Sequence, residues 1–337
     1  MDPTFFFGYD GNIGPEFMGA DSGVIQDTGH LGYLLVQDCK LLTSIKVDGS
    51  IRRVTMPHMV TVVDFSDGIR IAPELRPTLS RRGAIRLASI PILSSLSATA
   101  LCGFYSDWYC FSTILPGIIT NGVSCLTIGS GILTFTHPKP LPNSPKGGIL
   151  LDGTEMVILV GGKGAVNSVT RGRFSLRFRS EPEYRTIGLC SLLMIGQLLA
   201  QVLLIPQGSL FGQIMFLVSL IVAWGYNAYL SSLDRDKIQR QVLNEVLQRP
   251  RKMRFQLRSR VTSVVFISLI VQPRDPRKFL DDLLPNSTVW DIWKRGVLRK
   301  LEMKKFDFED SDFEGIADAE RSLLGVLYQD AGHAACV

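Results

Sequence analysis

Two long stretches of the chain are almost free of charge. Asp107 is the single charged residue between Leu87 and Pro138, and no charged residue occurs between Thr186 and Leu233. A helix that crosses a bilayer needs about 20 apolar residues, because it rises ~1.5 Å per residue against ~30 Å of hydrocarbon. Each stretch therefore has room for two crossings joined by a short turn.

Turn residues divide both stretches near their middle. Ser106-Asp107-Trp108-Tyr109 places the charge beside interfacial aromatic residues, and Pro206-Gln207-Gly208-Ser209 is a turn cluster. The sequence thus predicts an α-helical integral membrane protein with four transmembrane helices arranged as two hairpins. A pair of buried helices in a soluble protein is disfavoured, because a soluble helix needs a polar face. The predicted spans are 87–106, 111–134, 186–206 and 209–230.

Basic residues predict the orientation of these spans. Lys and Arg are frequent before the first span, between the second and third and after the fourth, but neither hairpin turn contains any. The positive-inside rule then places both termini and the central loop in the cytosol, at the plasma membrane or an endomembrane. The predicted organisation is a cytosolic N-terminal region (1–84), hairpin 1 (85–136), a cytosolic loop with strands (137–185), hairpin 2 (186–231), a basic cytosolic region (232–306) and an acidic, disordered tail (307–337).

Short strands and amphipathic helices are expected in the cytosolic parts. Alternation of apolar and polar residues and nearby turn residues predict short strands. They lie at Gly32–Val36, Met59–Val63, Ile149–Leu151, Met156–Val160 and Val261–Val271. Periodic apolar residues predict a helix over Asp234–Gln248 and another that begins at Ser287 or Thr288 and has a basic face containing Lys294. This second helix lies on the membrane surface or packs on the strands.

Eight basic residues are candidates for contact with anionic lipids. The segment Arg173–Arg179 alternates strictly, with one apolar and one basic face, and Arg249–Arg260 is densely basic and contains no acid. Each Lys or Arg near an anionic membrane surface contributes about 1 kcal/mol. A half-buried strand with a solvated basic face explains the first segment equally well. The candidates are Arg173, Arg177, Arg179, Arg251, Lys252, Arg254, Arg258 and Arg260.

Sequence motifs of catalysis and cofactor binding are absent. The six cysteines form no C-x-x-C pair, the four histidines form no H-E-x-x-H, and no G-x-S-x-G occurs. No catalytic residue, cofactor or metal ligand is therefore predicted. The net charge of +5 is too small to indicate a nucleic-acid partner.

Polar and small residues within the spans are interpreted through helix packing. Small residues recur at four-residue spacing, as at Gly196 and Ala200, which favours close packing within the bundle or in a homo-oligomer. Gln197 and Gln201 share one helix face. They line a polar permeation path or, in the favoured interpretation, form hydrogen bonds between helices.

Three segments resemble a fungal family. They are the run from Gly103 to Phe111, the segment from Arg173 to Tyr184 and the segment from Leu204 to Gln213. Together they are similar to uncharacterised multi-pass membrane proteins of basidiomycete fungi, over roughly residues 85–305. The resemblance implies a membrane location and adds no mechanism, so no functional residue is carried over from it.

The leading functional hypothesis is a non-enzymatic membrane scaffold. Its hairpin turns are short and its cytosolic segments are long and basic, which favours binding of lipid headgroups or a protein partner on the cytosolic face. The alternatives are a channel or transporter subunit, built by oligomerisation, and a membrane-bound enzyme without a recognisable motif.

Overall fold

The computed structural model of the chain describes most of its residues. They are 13–21, 23–47, 58–65, 81–128, 132–136, 138–142, 144–177, 184–232, 234–257, 259–303 and 318–335.

The chain divides into two compact units. Unit 1 contains four long helices from two separate parts of the chain, and unit 2 contains a seven-stranded sheet with the remaining helices. The chain passes from unit 2 into unit 1 and back twice. The second return falls after Ile238, within helix α7 (Arg235–Val246). Unit 2 is therefore assembled from three segments that the helices of unit 1 separate along the sequence.

Strands from all three segments form the sheet of unit 2. The strand order is β2-β1-β6-β7-β4-β9-β3, with β4 parallel to β7, β3 parallel to β9 and the other neighbours antiparallel. The strands are β1 (Glu16–Gly19), β2 (Val24–Ile25), β3 (Ser44–Lys46), β4 (His58–Phe65), β6 (Gly147–Asp152), β7 (Glu155–Gly161) and β9 (Arg251–Leu257). The turn between β6 and β7 uses Gly153 at φ 62°, a conformation that glycine adopts without strain.

Alternating side chains on the strands build two cores, one on each face of the sheet. Val60 and Ile158 belong to a cluster with Val264 of helix α8 (Arg260–Val271) on one face. Val63, three residues after Val60, and Leu159, one residue after Ile158, are buried on the other face, because side chains an odd number of residues apart point to opposite faces. Helices α1 and α4 contact this second face, so unit 2 has three layers with the sheet in the middle.

The helices of unit 2 are bounded by recognisable end signals. In α8, Ser259 accepts a hydrogen bond from the backbone N–H of Thr262, and in α9 the carboxylate of Asp275 does the same for Lys278. Helix α11 packs on α8 and on α10. The helices are α1 (Gly29–Lys40), α4 (Lys163–Arg171), α7 (Arg235–Val246), α8 (Arg260–Val271), α9 (Pro276–Leu283), α10 (Thr288–Met303) and α11 (Asp318–Ala335).

Unit 1 is a bundle of two helical hairpins. Helix α2 packs on α3 and α6, and α3 packs on α5. The helices are α2 (Arg81–Phe104), α3 (Trp108–Ile128), α5 (Tyr184–Leu204) and α6 (Leu210–Ser232), with a 3-10 turn at Ile205–Gln207 between the last two. Strands β5 (Ile132–Thr136) and β8 (Arg173–Arg177) pair in a separate two-stranded sheet.

The predicted fold class is wrong. The described residues form a mixed α/β fold with eleven helices and a seven-stranded sheet, rather than an α-helical membrane protein with small β segments. Within them, two helical segments rather than four are long and apolar enough to cross a membrane, Gly188–Gln207 and Leu210–Ser232. The apolar part of α2 is shorter, at Ser89–Phe104, and the predicted second span runs into strand β5, because α3 ends at Ile128.

Three local predictions also need correction. Gly32–Val36 lies in helix α1 and Val261–Val271 lies in helix α8, although both were expected to be strands. Both segments are buried against the sheet, and such tertiary packing overrides the strand preference of β-branched residues. The C-terminal tail was expected to be disordered, but its residues from Asp318 to Ala335 form helix α11; residues 307–317 lie outside the described residues.

Other local predictions are confirmed. Strands occur at Met59–Val63, Ile149–Leu151 and Met156–Val160, and helices α7 and α10 occupy the two predicted amphipathic segments. The basic face expected for α10 is only partly present. Lys294 is 3% exposed, and its ammonium group donates to Asp281 and Asn286.

Candidate functional site

The candidate lipid-binding residues that the structure describes do not form one basic surface. Arg173, Arg251 and Arg260 are exposed, and the guanidinium of Arg260 donates to the carbonyl of Leu283. Arg251 begins strand β9 and Arg260 begins helix α8, three residues after β9 ends, so about 20 Å of strand lies between them. The structure does not describe the Arg177 side chain, and Arg179 and Arg258 lie outside the described residues.

Arg254 is turned into the protein. Its side chain is 10% exposed and forms an ion pair with Glu155, which is 13% exposed. The same guanidinium donates to the carbonyl oxygens of Lys40, at 2.5 Å, and Leu42, at 3.2 Å, where helix α1 ends. A cation at this position satisfies backbone carbonyls that the helix leaves unpaired and complements the helix dipole. Arg254 therefore joins α1 to strands β7 and β9.

Lys252 has a similar internal role. Its ammonium group donates to Asp38 at 2.5 Å and also to the side chain of Asn244. Asn244 itself donates to Asp38 at 3.0 Å. These residues come from β9, α1 and α7, so the contact joins three elements of unit 2 through one partly buried charge pair. Lys252 and Arg254 consequently have partners inside the protein and are not available to lipid.

A buried thiol lies beside these charges. Cys39 is fully buried in α1, and burial raises the pKa of its thiol to about 12, with Lys252 opposing the shift and Asp38 adding to it. Four cysteines with described side chains, Cys39, Cys102, Cys110 and Cys190, are free thiols. Cys39 is therefore an un-ionised, buried thiol at neutral pH and lacks the properties of a nucleophile.

The helices α5 and α6 expose an unusually large apolar surface. In the most apolar part of each of these two segments, only 6% of the residues are buried inside the protein. Leu192, Leu198, Val202 and Trp224 are each more than half exposed. Outward-facing side chains of α2, such as Leu93, extend the same kind of surface. Soluble monomers rarely expose contiguous apolar patches above a few hundred Å², so the exposure of both helices is unusual for such a protein.

Asp107 joins the turns of the two hairpins of unit 1. One carboxylate oxygen accepts from the backbone N–H of Cys110 at 3.1 Å. The other accepts from the backbone N–H of Ser209 at 2.8 Å and from its hydroxyl at 2.6 Å. The side chain is only 5% exposed, because Gly208 and Gly212 pack against it. Both turns therefore lie at the same end of the bundle.

Hydrogen bonding keeps this buried carboxyl ionised. Burial alone raises the pKa of Asp107, but the hydrogen bonds from Ser209 and Cys110 outweigh it and lower the pKa below its ordinary value of 3.8. Asp107 was expected at the turn of the first hairpin, beside interfacial aromatic residues, and this turn is present. What the sequence could not indicate is that its partner, Ser209, follows more than a hundred residues later.

The two glutamines of α5 face α3. A Cβ atom at Gly117 would lie 2.8 Å from the amide nitrogen of Gln197 and 4.0 Å from that of Gln201. The small residue at Gly117 thus makes room for the Gln197 amide between the helices. This arrangement fits the packing interpretation of the glutamines. Gly196, in contrast, faces open space, so it does not serve the close packing expected of it within the bundle.

Among the described residues, no group of three or more His, Cys, Asp or Glu side chains is placed to hold a metal ion. The buried cluster of Asp38, Glu155, Lys252 and Arg254 was missed by the sequence reasoning. Its signal was the alternation of polar and apolar residues in Arg251–Leu257, which predicts a strand rather than a surface segment.

Comparison of the chain with models of protein families, with curated proteins and with solved structures finds no match.

Proposed function

We propose that the chain is a membrane-anchored, non-enzymatic protein whose helices α5 and α6 cross the bilayer as a hairpin. The observation that carries the proposal is the exposure of both apolar helices along their length. A core helix of a soluble protein passes the same test of length and composition, but it is buried. A secretory signal sequence lies near the N-terminus, whereas these helices lie in the second half of the chain.

Side chains at the helix ends agree with this placement. Arg185 is exposed just before the first apolar segment, and Lys237 is exposed just after the second. The turn between the helices contains no Lys or Arg. The positive-inside rule then orients the ends of the hairpin toward the cytosol and the turn toward the opposite side. Because a hairpin returns the chain to the side it left, the segments before α5 and after α6 are both cytosolic.

Unit 2 would act as the binding part of such a scaffold. A protein partner is favoured over lipid headgroups, because Lys252 and Arg254 are engaged internally and Arg251 and Arg260 lie far apart. Any headgroup contact would come from exposed residues beside the spans, such as Arg185 and Lys237. The channel, the membrane enzyme and membership of the basidiomycete family remain hypotheses without a specific structural observation in their favour.

One matched pair of substitutions tests membrane insertion. Leu198 lies near the middle of α5 and is 61% exposed, and Leu41 in unit 2 is 70% exposed. Leu198→Arg adds about 3–4 kcal/mol to the cost of inserting the helix, whereas Leu41→Arg puts a charge on a solvated surface. After alkaline carbonate washing of membranes, we expect the wild-type chain and Leu41→Arg in the pellet and a larger soluble or degraded fraction for Leu198→Arg. Equal release of all three chains would refute the proposal.

Glycosylation mapping tests the orientation. Asn286-Ser287-Thr288 is an exposed sequon just before α10, and the proposal places it in the cytosol, so it should stay unmodified. A longer insert that carries a sequon, placed after Gln207, should be glycosylated. Modification of Asn286 together with an unmodified insert would reverse the orientation and leave the insertion itself intact.

A further inference from the structure

Three unpaired polar atoms meet on one face of the sheet of unit 2. Among the described residues, seven buried side-chain atoms have no hydrogen-bond partner, and three of them belong to Thr61, Glu155 and Arg254. They are the hydroxyl of Thr61, the second carboxylate oxygen of Glu155 and the Nε–H of Arg254. Buried polar atoms in proteins are paired in the great majority of cases, so a cluster of three needs a cause.

Strand pairing places the three side chains side by side. Thr61 of β4 is directly opposite Arg254 of β9. Glu155 lies on the other neighbour of β4, where it pairs with Met59, two residues before Thr61 on the same face. The ion pair between Arg254 and Glu155 therefore reaches across β4 beside Thr61. The C-terminal end of α1 lies next to these side chains, because Arg254 also donates to the carbonyl oxygens of Lys40 and Leu42 there.

Charge and hydrogen-bonding capacity define what fits between these atoms. The carboxylates of Asp38 and Glu155 balance the cations of Lys252 and Arg254, so the cluster has no net charge to attract an ion. The unpaired atoms are one donor, one acceptor and one hydroxyl that can do either. A buried water typically makes about three hydrogen bonds to such groups.

We propose that Thr61, Glu155 and Arg254 together bind one internal water molecule. The water accepts a hydrogen bond from the Nε–H of Arg254 and donates one to the carboxylate of Glu155. It forms a third hydrogen bond with the hydroxyl of Thr61. In this way β4, the central strand of the three, is tied to the ion pair that spans it. The water thereby completes the polar network that holds α1 on the sheet.

The sign of one stability change tests the proposal. Valine has nearly the shape of threonine and favours strands, so Thr61→Val should leave the melting temperature unchanged or raise it if the hydroxyl has no partner. If the hydroxyl binds a water, the substitution removes one of its partners and should lower the Tm of unit 2 by about 2–4 °C. The measurement is thermal unfolding of the purified full chain in detergent.

Thr170→Val provides the matched control. Thr170 is also buried in unit 2, but its hydroxyl donates to the carbonyl of Val166 within helix α4. Such a bond back to the helix contributes little, so this variant should unfold within about 1 °C of the wild type. A Tm for Thr61→Val equal to or above that of the wild type, with Thr170→Val unchanged, would overturn the proposal.

A high-resolution experimental structure of the full chain gives a direct second measurement. Density for one water within about 3.2 Å of the three named atoms is the expected result. Direct pairing of the Thr61 hydroxyl with a protein atom, or density for a larger molecule at this place, would refute the assignment to water.

Discussion

Replacement of Arg254 by alanine should destabilise unit 2 more than any exposed substitution on the same strand. Arg254→Ala removes the ion pair with Glu155 and the hydrogen bonds to the carbonyl oxygens of Lys40, at the end of α1, and of Leu42, just beyond it. It leaves the carboxylate of Glu155, whose side chain is only 13% exposed, without its cation. The dominant loss is therefore the uncompensated buried charge rather than the attraction within the pair.

The expected magnitude follows from burial. Removal of one partner of a buried ion pair costs about 3–5 kcal/mol in the free energy of unfolding, and we expect Arg254→Ala to fall in this range. Arg251 lies three residues earlier on the same strand and is exposed. Substitutions at such positions change the free energy by less than about 0.5 kcal/mol, so Arg251→Ala is the matched control.

Chemical denaturation of the purified full chain in detergent provides the assay. Trp290 and Trp293 lie in α10 and their fluorescence follows the unfolding of unit 2, provided that Trp108 and Trp224 of unit 1 are first replaced by phenylalanine. Ordinary surface substitutions change the free energy of unfolding by less than about 0.5 kcal/mol. If the free energies of unfolding of Arg254→Ala and Arg251→Ala differ by no more than about this margin, the internal role of Arg254 is refuted. Such a result would also return Arg254 to the candidates for lipid contact.

Three further predictions follow from other contacts. Gly296→Ala should lower the Tm, because its Cβ would lie 2.1 Å from the hydroxyl oxygen of the buried Tyr328 and would push α11 away from α10. Cys39, in a variant that retains no other cysteine, should react with iodoacetamide at pH 8 only after unfolding, because burial raises its pKa to about 12. Asp107, whose pKa lies below 3.8, should stabilise unit 1 fully above that pH and lose this contribution as the pH falls below it, whereas Asp107→Asn should weaken the contact with Ser209 wherever the wild-type carboxyl is ionised.

Each of these has an outcome that would contradict it. Gly164→Ala, at a helix position with open space, is the control for Gly296 and should raise the Tm, so equal Tm changes in the two variants would mean that α11 does not pack as described. Alkylation of native Cys39 at the rate of a free thiol would show that it is not buried. An acid-unfolding midpoint of unit 1 that is unchanged by Asp107→Asn would mean that Asp107 does not join the two turns.

Periodic, local features of this chain were predictable from the sequence. A window of about ten to fifteen residues is enough to recognise the amphipathic helices α7 and α10, the hairpin of β6 and β7, and strand β4. The long apolar helices of unit 1 were recognised for the same reason. Their boundaries differ from the predicted ones mainly where α3 gives way to β5.

The segments that were misjudged are those whose pattern lacks a clear period. Val261–Val271 is apolar on every side because α8 is covered by the sheet on one side and by α11 on the other. A helix buried all round has no polar face to reveal its 3.6-residue period. Its β-branched residues then suggested a strand, and packing overrode that preference.

Long-range pairing explains both the wrong fold class and the wrong assignment of the basic segment. In the sheet, β1 pairs with β6, and β4 pairs with β9, although helices of unit 1 lie between the paired strands in the sequence. A segment dense in basic residues, such as Arg249–Arg260, suggests an exposed basic surface when the acidic partners of its cations are distant in the sequence. Lys252 and Arg254 are neutralised by Asp38 and Glu155, which precede them by 214 and 99 residues. A basic run therefore identifies a membrane-facing surface only after the fold shows which of its cations remain unpaired.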